Sequence, residues 1–395
     1  MDTGLPLEDF KQGSLFELEP LELPETRNCF SRDENHAFLT EQIITYIGNK
    51  RSLLDFIGKG VQTVLQRTGR DKLSCMDVFS GSGIVSRYLK QFSHTLYAND
   101  LEDYAKVINE CYLTNSTEAL EAMLRGMLLE VKSKIKKQSA PGFIAELYSP
   151  VDDNDIKEGE RVFYTRRNAI YIDTARQVIA GLPADMQKFF LAPLLYEASV
   201  HNNTSGVFKG FYKNKEGIGQ FGGTGRNALQ RILADIEIKP PVFSRFSSDV
   251  HVLQKDALEA VQSVKEIDFA YMDPPYNQHP YGSNYFMLNL ITKNSPPQSY
   301  SQVSGIPDDW NRSPFNKRKF AQDALFKVIE ACPAKFIMIS YNSEGFVKQD
   351  EFVDYLNTLG SVSFLETEYN TFRGCRNLRN RDIKVSEYLF LLERK

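Results

Sequence analysis

The chain of 395 residues has a single tryptophan, five cysteines, five histidines and no net positive charge. The cysteines, at positions 29, 75, 111, 332 and 375, are scattered and odd in number, without a Cys-x-x-Cys pair. That pattern argues against a disulfide framework or a zinc site and points to a reducing, cytoplasmic setting. Dispersed histidines add no metal-ligand spacing, so no metal is expected. No apolar run approaches the roughly twenty residues that span a bilayer, and the acidic start Met1 to Asp9 is the opposite of a secretion leader. No membrane association is expected. The formal charge of −4 supplies no global field for nucleic acid, so a nucleic-acid partner would have to meet local basic surfaces. What is present is ordinary globular composition, 42% apolar and 25% charged. The length admits one large α/β domain with a smaller inserted or appended region.

The most informative string is Asp273-Pro274-Pro275-Tyr276, directly after the apolar stretch Ile267 to Met272. A carboxylate at the end of a strand can accept one hydrogen of an amino base, and a carbonyl in a turn stiffened by proline can accept the other. Tyr276 offers a face for stacking. Draining both amine hydrogens frees the nitrogen lone pair to attack a methyl donor. The competing reading is a plain strand-ending turn. Upstream, Asp77-Val78-Phe79-Ser80-Gly81-Ser82-Gly83 carries an apolar strand into a small-residue loop and a helix. Glycines there admit close backbone approach, and the helix start offers free N–H groups. A third glycine is missing and Asp77 is acidic, which disfavours a pyrophosphate and suits an uncharged or cationic cofactor.

Further along, Tyr97-Ala98-Asn99-Asp100 ends a second strand with an acid where nucleotide folds bind ribose hydroxyls. Asp100 also reads as a helix N-cap for the segment Tyr104 to Leu113, and the two roles can coexist. Asp256, after another short strand, is either an acceptor for the amine of a bound adenosine or a solvated loop acid. Three basic segments stand out: Phe208 to Lys215 with Lys209 and Lys213 interleaved with aromatics, Asn316 to Lys319, and the run containing Arg373, Arg376, Arg379, Arg381 and Lys384. Each suits phosphate contact or base stacking, and each alone also reads as a solvated loop.

Residues 1 to 35, rich in acids and prolines, read as a tail or packing arm. Apolar spacing from Ile43 to Gln66 predicts a helix or helix pair broken at Gly48-Asn49. Helices are expected over Leu120 to Lys137 and 164 to 200, with Pro183 and Pro193 as breaks, and over Phe346 to Leu359. The glycine-dense loop 217 to 225, with Arg226 after it, is placed to close over DNA. Strand signals, interrupted from Leu120 to Phe246, resume at Asp249 and recur at Lys335 to Tyr341 and Tyr388 to Leu392.

These motifs, with Gly48-Asn49-Lys50 before them, resemble the S-adenosylmethionine-dependent DNA adenine methyltransferases of the alpha group, Dam-like in motif order. The segments around Asn277 to Phe286 and Val207 to Lys213 look most similar to the FokI-type modification methylases. The resemblance runs from about Ile43 to Lys395. It implies an α/β, Rossmann-like methyltransferase fold with a mixed, mostly parallel sheet. Residues 36–119 and 247–395 would form the catalytic part, and 120–246 an inserted, mainly helical target-recognition region. It implies catalysis by Asp273, Pro274, Pro275 and Tyr276 on an adenine flipped out of duplex DNA. Asp77, Phe79, Ser80, Gly81 and Gly83 would line the cofactor, with Asp100 at its ribose, Asp256 at its adenine, and Tyr46 and Lys50 at its methionine end. Lys209, Lys213, Arg226, Arg373 and Arg376 would meet DNA. It further implies a monomer paired with a restriction endonuclease. The rival readings are an RNA amino-base methyltransferase, a nicotinamide oxidoreductase and a non-catalytic DNA-binding module.

Overall fold

The computed structural model describes residues 19–20, 33–223, 225–226, 228–342, 345–370 and 384–395. Apart from 19–20 and 33–35, the amino-terminal segment read as a tail or arm lies outside the described residues, as do Arg373 and Arg376. Eight strands among the described residues form one sheet: β1 (Glu19–Pro20), β2 (Leu73–Asp77), β3 (Ser93–Asn99), β4 (Asp249–Leu253), β5 (Phe269–Met272), β6 (Phe336–Asn342), β7 (Gly360–Asn370) and β8 (Lys384–Arg394). Their order is β1-β7-β8-β6-β5-β2-β3-β4. The pairs β2–β3, β3–β4, β2–β5 and β5–β6 are parallel, and β8 runs antiparallel between β6 and β7. This is the mixed, mostly parallel sheet of the Rossmann-like methyltransferase fold.

The central strands β2, β5 and β6 are buried along their whole length, as strands covered by helices on both faces must be. Alternate residues feed two cores. Cys75, Phe269, Tyr271 and Met338 point to one, and Met76, Ala270, Ile337 and Ile339 to the other. From β2 the chain winds to β3 and then β4 on one side, whereas β5 and β6 lie on the other. A crevice therefore opens beyond the carboxyl ends of β2 and its neighbours.

Between β3 and β4 the described residues hold helices and no named strand: Asp103–Tyr112, Glu118–Lys137, Phe143–Tyr148, Arg166–Ala180, Ala184–Val200 and Leu229–Leu233. This insertion shares a continuous core with the sheet. Phe189, Leu194 and Leu195 join Tyr104, Ile108 and Phe286 in one cluster. No helix among the described residues is long and apolar enough to cross a membrane.

Three expectations change. Residues 43–49 form no helix, because Gly48 takes φ +74° and the backbone of Ile47 bonds to tyrosines instead. Its N–H donates to Tyr285 Oη at 2.6 Å and its carbonyl accepts from Tyr281 Oη at 3.2 Å. Helix begins only at Leu54, after a 3₁₀ turn over Lys50–Leu53. Pro183 does cap a helix, but Pro193 sits inside Ala184–Val200 rather than ending it, in a helix that packing encloses from Phe189 to Leu195. The helix expected from Phe346 starts at Gln349, and the alternating Val362 and Phe364 of β7 were not read as a strand.

Candidate active site

The crevice is an open cleft enclosing about 720 Å³ of space, part of it continuous with solvent. Its floor is the loop after β2. Gly81 has φ +48° and Gly83 φ +77°, conformations that side chains resist. A Cβ on Gly81 would stand 2.9 Å from Tyr46 Cε1, and one on Gly83 would stand 2.8 Å from Asn109 Oδ1. The loop is held from β3: Asn99 accepts the Ser80 N–H at 2.8 Å, and Asp100 Oδ2 accepts the Gly81 N–H at 2.8 Å. Asp100 Oδ1 takes the Glu102 N–H at 2.9 Å. The following helix starts at Asp103 with Glu102 at its cap position, so Asp100 binds the glycine loop instead of capping that helix. Burial raises its carboxyl above the ordinary range, and the backbone N–H donors pull it back.

Not every expected cofactor residue reaches the cleft. Phe79, Gly81, Asp100, Asp256 and Tyr46 line it. Ser80 is buried and accepts from Asn109 Nδ2 at 2.9 Å. Asp77 lies beneath the loop, accepting the Ser86 hydroxyl at 2.7 Å, and burial lifts it to about 7. Asp256 caps the helix Ala257–Gln262 through the Leu258 N–H and lines the cleft as well. Tyr46 packs against the rings of both Tyr281 and Tyr285, with centroids at 4.9 and 4.7 Å, in a cluster whose third side is 6.1 Å.

The turn after β5 adds Asp273 and Pro275 to the same cleft. Lys50 comes from the 3₁₀ turn and is buried beside Asp273 rather than on the cleft wall, its Nζ 3.0 Å from Asp273 Oδ1. The same ammonium stands 3.2 Å from Glu387 on β8. Burial pushes Lys50 down, but the two carboxylates outweigh it and hold it well above its ordinary value. Asp273 goes up to about 6, because burial and Glu387 raise it more than Lys50 lowers it. Tyr276 lies beside this group, its ring 5.9 Å from Lys50 Nζ and edge-on to Tyr341. Tyr285 and Phe286 are core residues, fully enclosed.

Sequence reasoning missed Glu102, Glu387, Tyr281 and Asn311. Glu102 is 4% exposed and lines the cleft. Its Oε2 accepts from Asn289 at 2.5 Å and Asn311 at 3.2 Å, and burial, only partly offset by those amides, lifts it to about 7. An acid two residues past Asp100 was a visible signal. Glu387 had none.

The basic segments approach from the insertion and from beyond the Pro-Pro turn. Phe208 N–H donates to the Asn284 carbonyl at 2.7 Å, which ties the lysine-aromatic segment to the helix after the turn. Lys209 is close enough to depress His279, whose own burial is the larger cause. Lys213 lies over the Phe211 ring, and Arg226 is exposed. Lys317, Arg318 and Lys319 are exposed next to Asn316, which donates to the Asn277 carbonyl at 2.8 Å.

A family model, that of the D12 class N6 adenine-specific DNA methyltransferases, matches residues 46–313. Among curated relatives, the type II methyltransferase M.CviAII of Paramecium bursaria Chlorella virus 1 is 28% identical over 355 residues, covering 88% of this chain and 98% of that protein. The type II methyltransferase M.NlaIII of Neisseria lactamica is 28% identical over 362 residues, 89% of this chain and 99% of that protein. M.FokI of Planomicrobium okeanokoites is 24% identical over 362 residues, which is 88% of this chain but 52% of that longer protein. With the acid-Pro-Pro-Tyr string and the glycine loop opening on one cleft, and a family match spanning most of both, the chain belongs to the D12 class of N6 adenine-specific DNA methyltransferases.

Proposed function

We propose that this enzyme uses S-adenosylmethionine to methylate the exocyclic amine of adenine flipped out of duplex DNA, as the modification partner of a restriction endonuclease. Its setting is the cytoplasm, and it acts as a monomer. The observation that carries the reading is a single cleft lined both by the Gly81 loop and by Asp273 and Pro275. The lining fits the cofactor: among the described residues, the acids Asp100, Glu102, Asp256 and Asp273 line the cleft against a single cation, Lys255. That charge suits a hydroxyl-rich cation and repels a pyrophosphate. Gly81 supplies the close backbone approach, and Asp100 and Glu102 are acceptors for ribose hydroxyls, with Asp256 toward the adenine and Tyr46 toward the methionine end. When bound, the cofactor supplies a methyl group on a sulfonium.

The protein's part is orientation and charge placement. Lys50 occupies Asp273 Oδ1 and leaves Oδ2 for one amine hydrogen. The Pro274 carbonyl accepts the other, Pro275 stiffens the turn, and Tyr276 stacks on the base. With both hydrogens engaged, the nitrogen lone pair points into the cleft. Displacement is direct, and no covalent bond to the enzyme forms. Residues 120–246 serve target recognition, with Lys209, Lys213 and Arg226 on phosphates and the exposed Lys317 to Lys319 extending that surface. The test is transfer of labelled methyl from S-adenosylmethionine to mixed-sequence duplex DNA, followed by digestion to nucleosides. Label in methyladenine with wild type, absent with Asp273→Ala, supports the reading. Label on RNA, or on cytosine, overturns it.

A further inference from the structure

The ion group beneath Asp273 holds more negative charge than neutralisation requires. One ammonium would balance one carboxylate, yet Lys50 sits between two, at 3.0 Å from Asp273 and 3.2 Å from Glu387. Glu387 is wholly enclosed. Its Oε1 meets Lys50 and the Ser340 hydroxyl, while Oε2 has no hydrogen-bond partner among the described residues. A buried carboxylate oxygen without a partner is costly, and a well-packed apolar residue in its place would be as stable or more so. Packing therefore gives no reason for an acid at this point of β8.

Chemistry does. We propose that Glu387 is a positioning residue of the transfer step, acting through Lys50 to fix the ammonium on Asp273 Oδ1 while leaving a net negative charge beneath the oxygen that accepts the amine hydrogen. The claim rests on the methyl-transfer reading of Asp273 given above. Without Glu387, Lys50 is free to lean wholly on Asp273, which neutralises the acceptor just where the nitrogen needs electron density. With Glu387, the ammonium is shared and Asp273 keeps its proton affinity. Among the described residues, the groups that act on Asp273 are Lys50 from the 3₁₀ turn, Glu387 from β8, Asp77 from β2 and Tyr271 from β5, with the Tyr276 ring beside Lys50. Among them Glu387 is the carboxylate that shares the Lys50 ammonium with Asp273.

The test uses the full chain and Glu387→Gln, which keeps the shape and an acceptor for Ser340 but removes the charge. In the ligand-free protein, the carboxyl of Asp273 is followed by carbon-13 NMR against pH and assigned by its disappearance in Asp273→Asn. Its midpoint is expected to fall by about one pH unit. In the methylation assay, kcat at pH 8 is expected to drop about tenfold, with the acid limb displaced to lower pH and KM for DNA and cofactor unchanged. Glu387→Asp, which restores the charge, brings the midpoint back toward wild type and serves if the glutamine variant does not fold. A folded Glu387→Gln protein in which Asp273 titrates as in wild type, or a Glu387→Asp midpoint that moves as far as the glutamine one, overturns the proposal. Because the titration needs no turnover, an enzyme that fails to methylate DNA would refute the function and still leave the Asp273–Glu387 coupling to be read.

Discussion

Two acids follow parallel strands on either side of β2, and the chain secures them by opposite means. Asp100, after β3, is held by backbone: the N–H groups of Gly81 and Glu102 bind its two oxygens, all from loops at the strand ends. Asp273, after β5, is held by a side-chain cation from far upstream that is itself held by an acid near the carboxyl end. Burial raises both carboxyls. On the proposed reading, the backbone clamp fixes an acceptor for the cofactor, whereas the ion group tunes the acceptor for the base. On the same reading, the residues around the Gly81 loop form the cofactor half of the cleft and those around Asp273 the base half.

The largest expected effect comes from emptying the base half. Asp273→Ala should lower methyl transfer on the order of a thousandfold while leaving cofactor affinity nearly unchanged, as measured by single-turnover assay and calorimetry with S-adenosylhomocysteine. A comparable loss of cofactor binding would mean that the two halves are not separate. Lys50→Met should come next. It leaves the buried Glu387 and the partly buried Asp273 without their cation, at a cost of about 3 kcal/mol of stability by denaturant unfolding, and transfer should fall at least about a hundredfold. An unfolding midpoint equal to wild type would show that the ion group is not what holds this end.

The pH dependence sharpens the contrast. Burial, with Glu387, holds the Asp273 carboxyl up at about 6, and Lys50 offsets this only in part. A raised acid keeps its proton to a higher pH, and the protonated form cannot accept the amine hydrogen. Activity should therefore be level above about pH 6 and fall about tenfold per unit below it. An acid limb that persists unmoved in a variant retaining residual transfer without Asp273 would assign the titration elsewhere.

The same contrast explains what the sequence disclosed. Asp273-Pro274-Pro275-Tyr276 and the Gly81 loop were legible because each is a strand running into its own turn, so chemistry and neighbours lie within a few residues. Asp100 was found for the same reason, although its partner proved to be the glycine loop and not the helix behind it. Lys50 was singled out by resemblance, but its real neighbours depend on β8 crossing between β6 and β7, a pairing no local pattern encodes. Glu387 reads in sequence as one polar position in an alternating strand. Tyr46 lost its expected helix because two distant tyrosines claim the backbone of the next residue. The central strands β2, β5 and β6 could be read to within a few residues, since buried central strands are continuous apolar runs, whereas β7 toward the edge of the sheet was not read.

Within the cofactor half, Gly81→Ala should cost about tenfold in cofactor affinity, because φ +48° strains any side chain and the new methyl meets Tyr46 at 2.9 Å. Pairing it with Tyr46→Ala relieves the contact but not the backbone strain. Partial recovery is the expected result, and full recovery would mean that Tyr46 alone sets the limit.

Asp256→Ala should have the smallest effect. Its carboxylate is exposed and caps the helix Ala257–Gln262, so its removal costs about 1 kcal/mol of stability. If it also meets the cofactor's adenine, S-adenosylhomocysteine binding should weaken a few-fold, and Asp256→Asn should separate the two roles. The amide retains an acceptor for the Leu258 N–H and so restores the cap, but it loses the charge that favours an amine donor. Stability recovered without affinity assigns both roles to Asp256. Recovery of both together would leave it a cap that happens to line the wall, and the base half would then be the only end of the cleft where carboxylate charge, rather than geometry, decides the outcome.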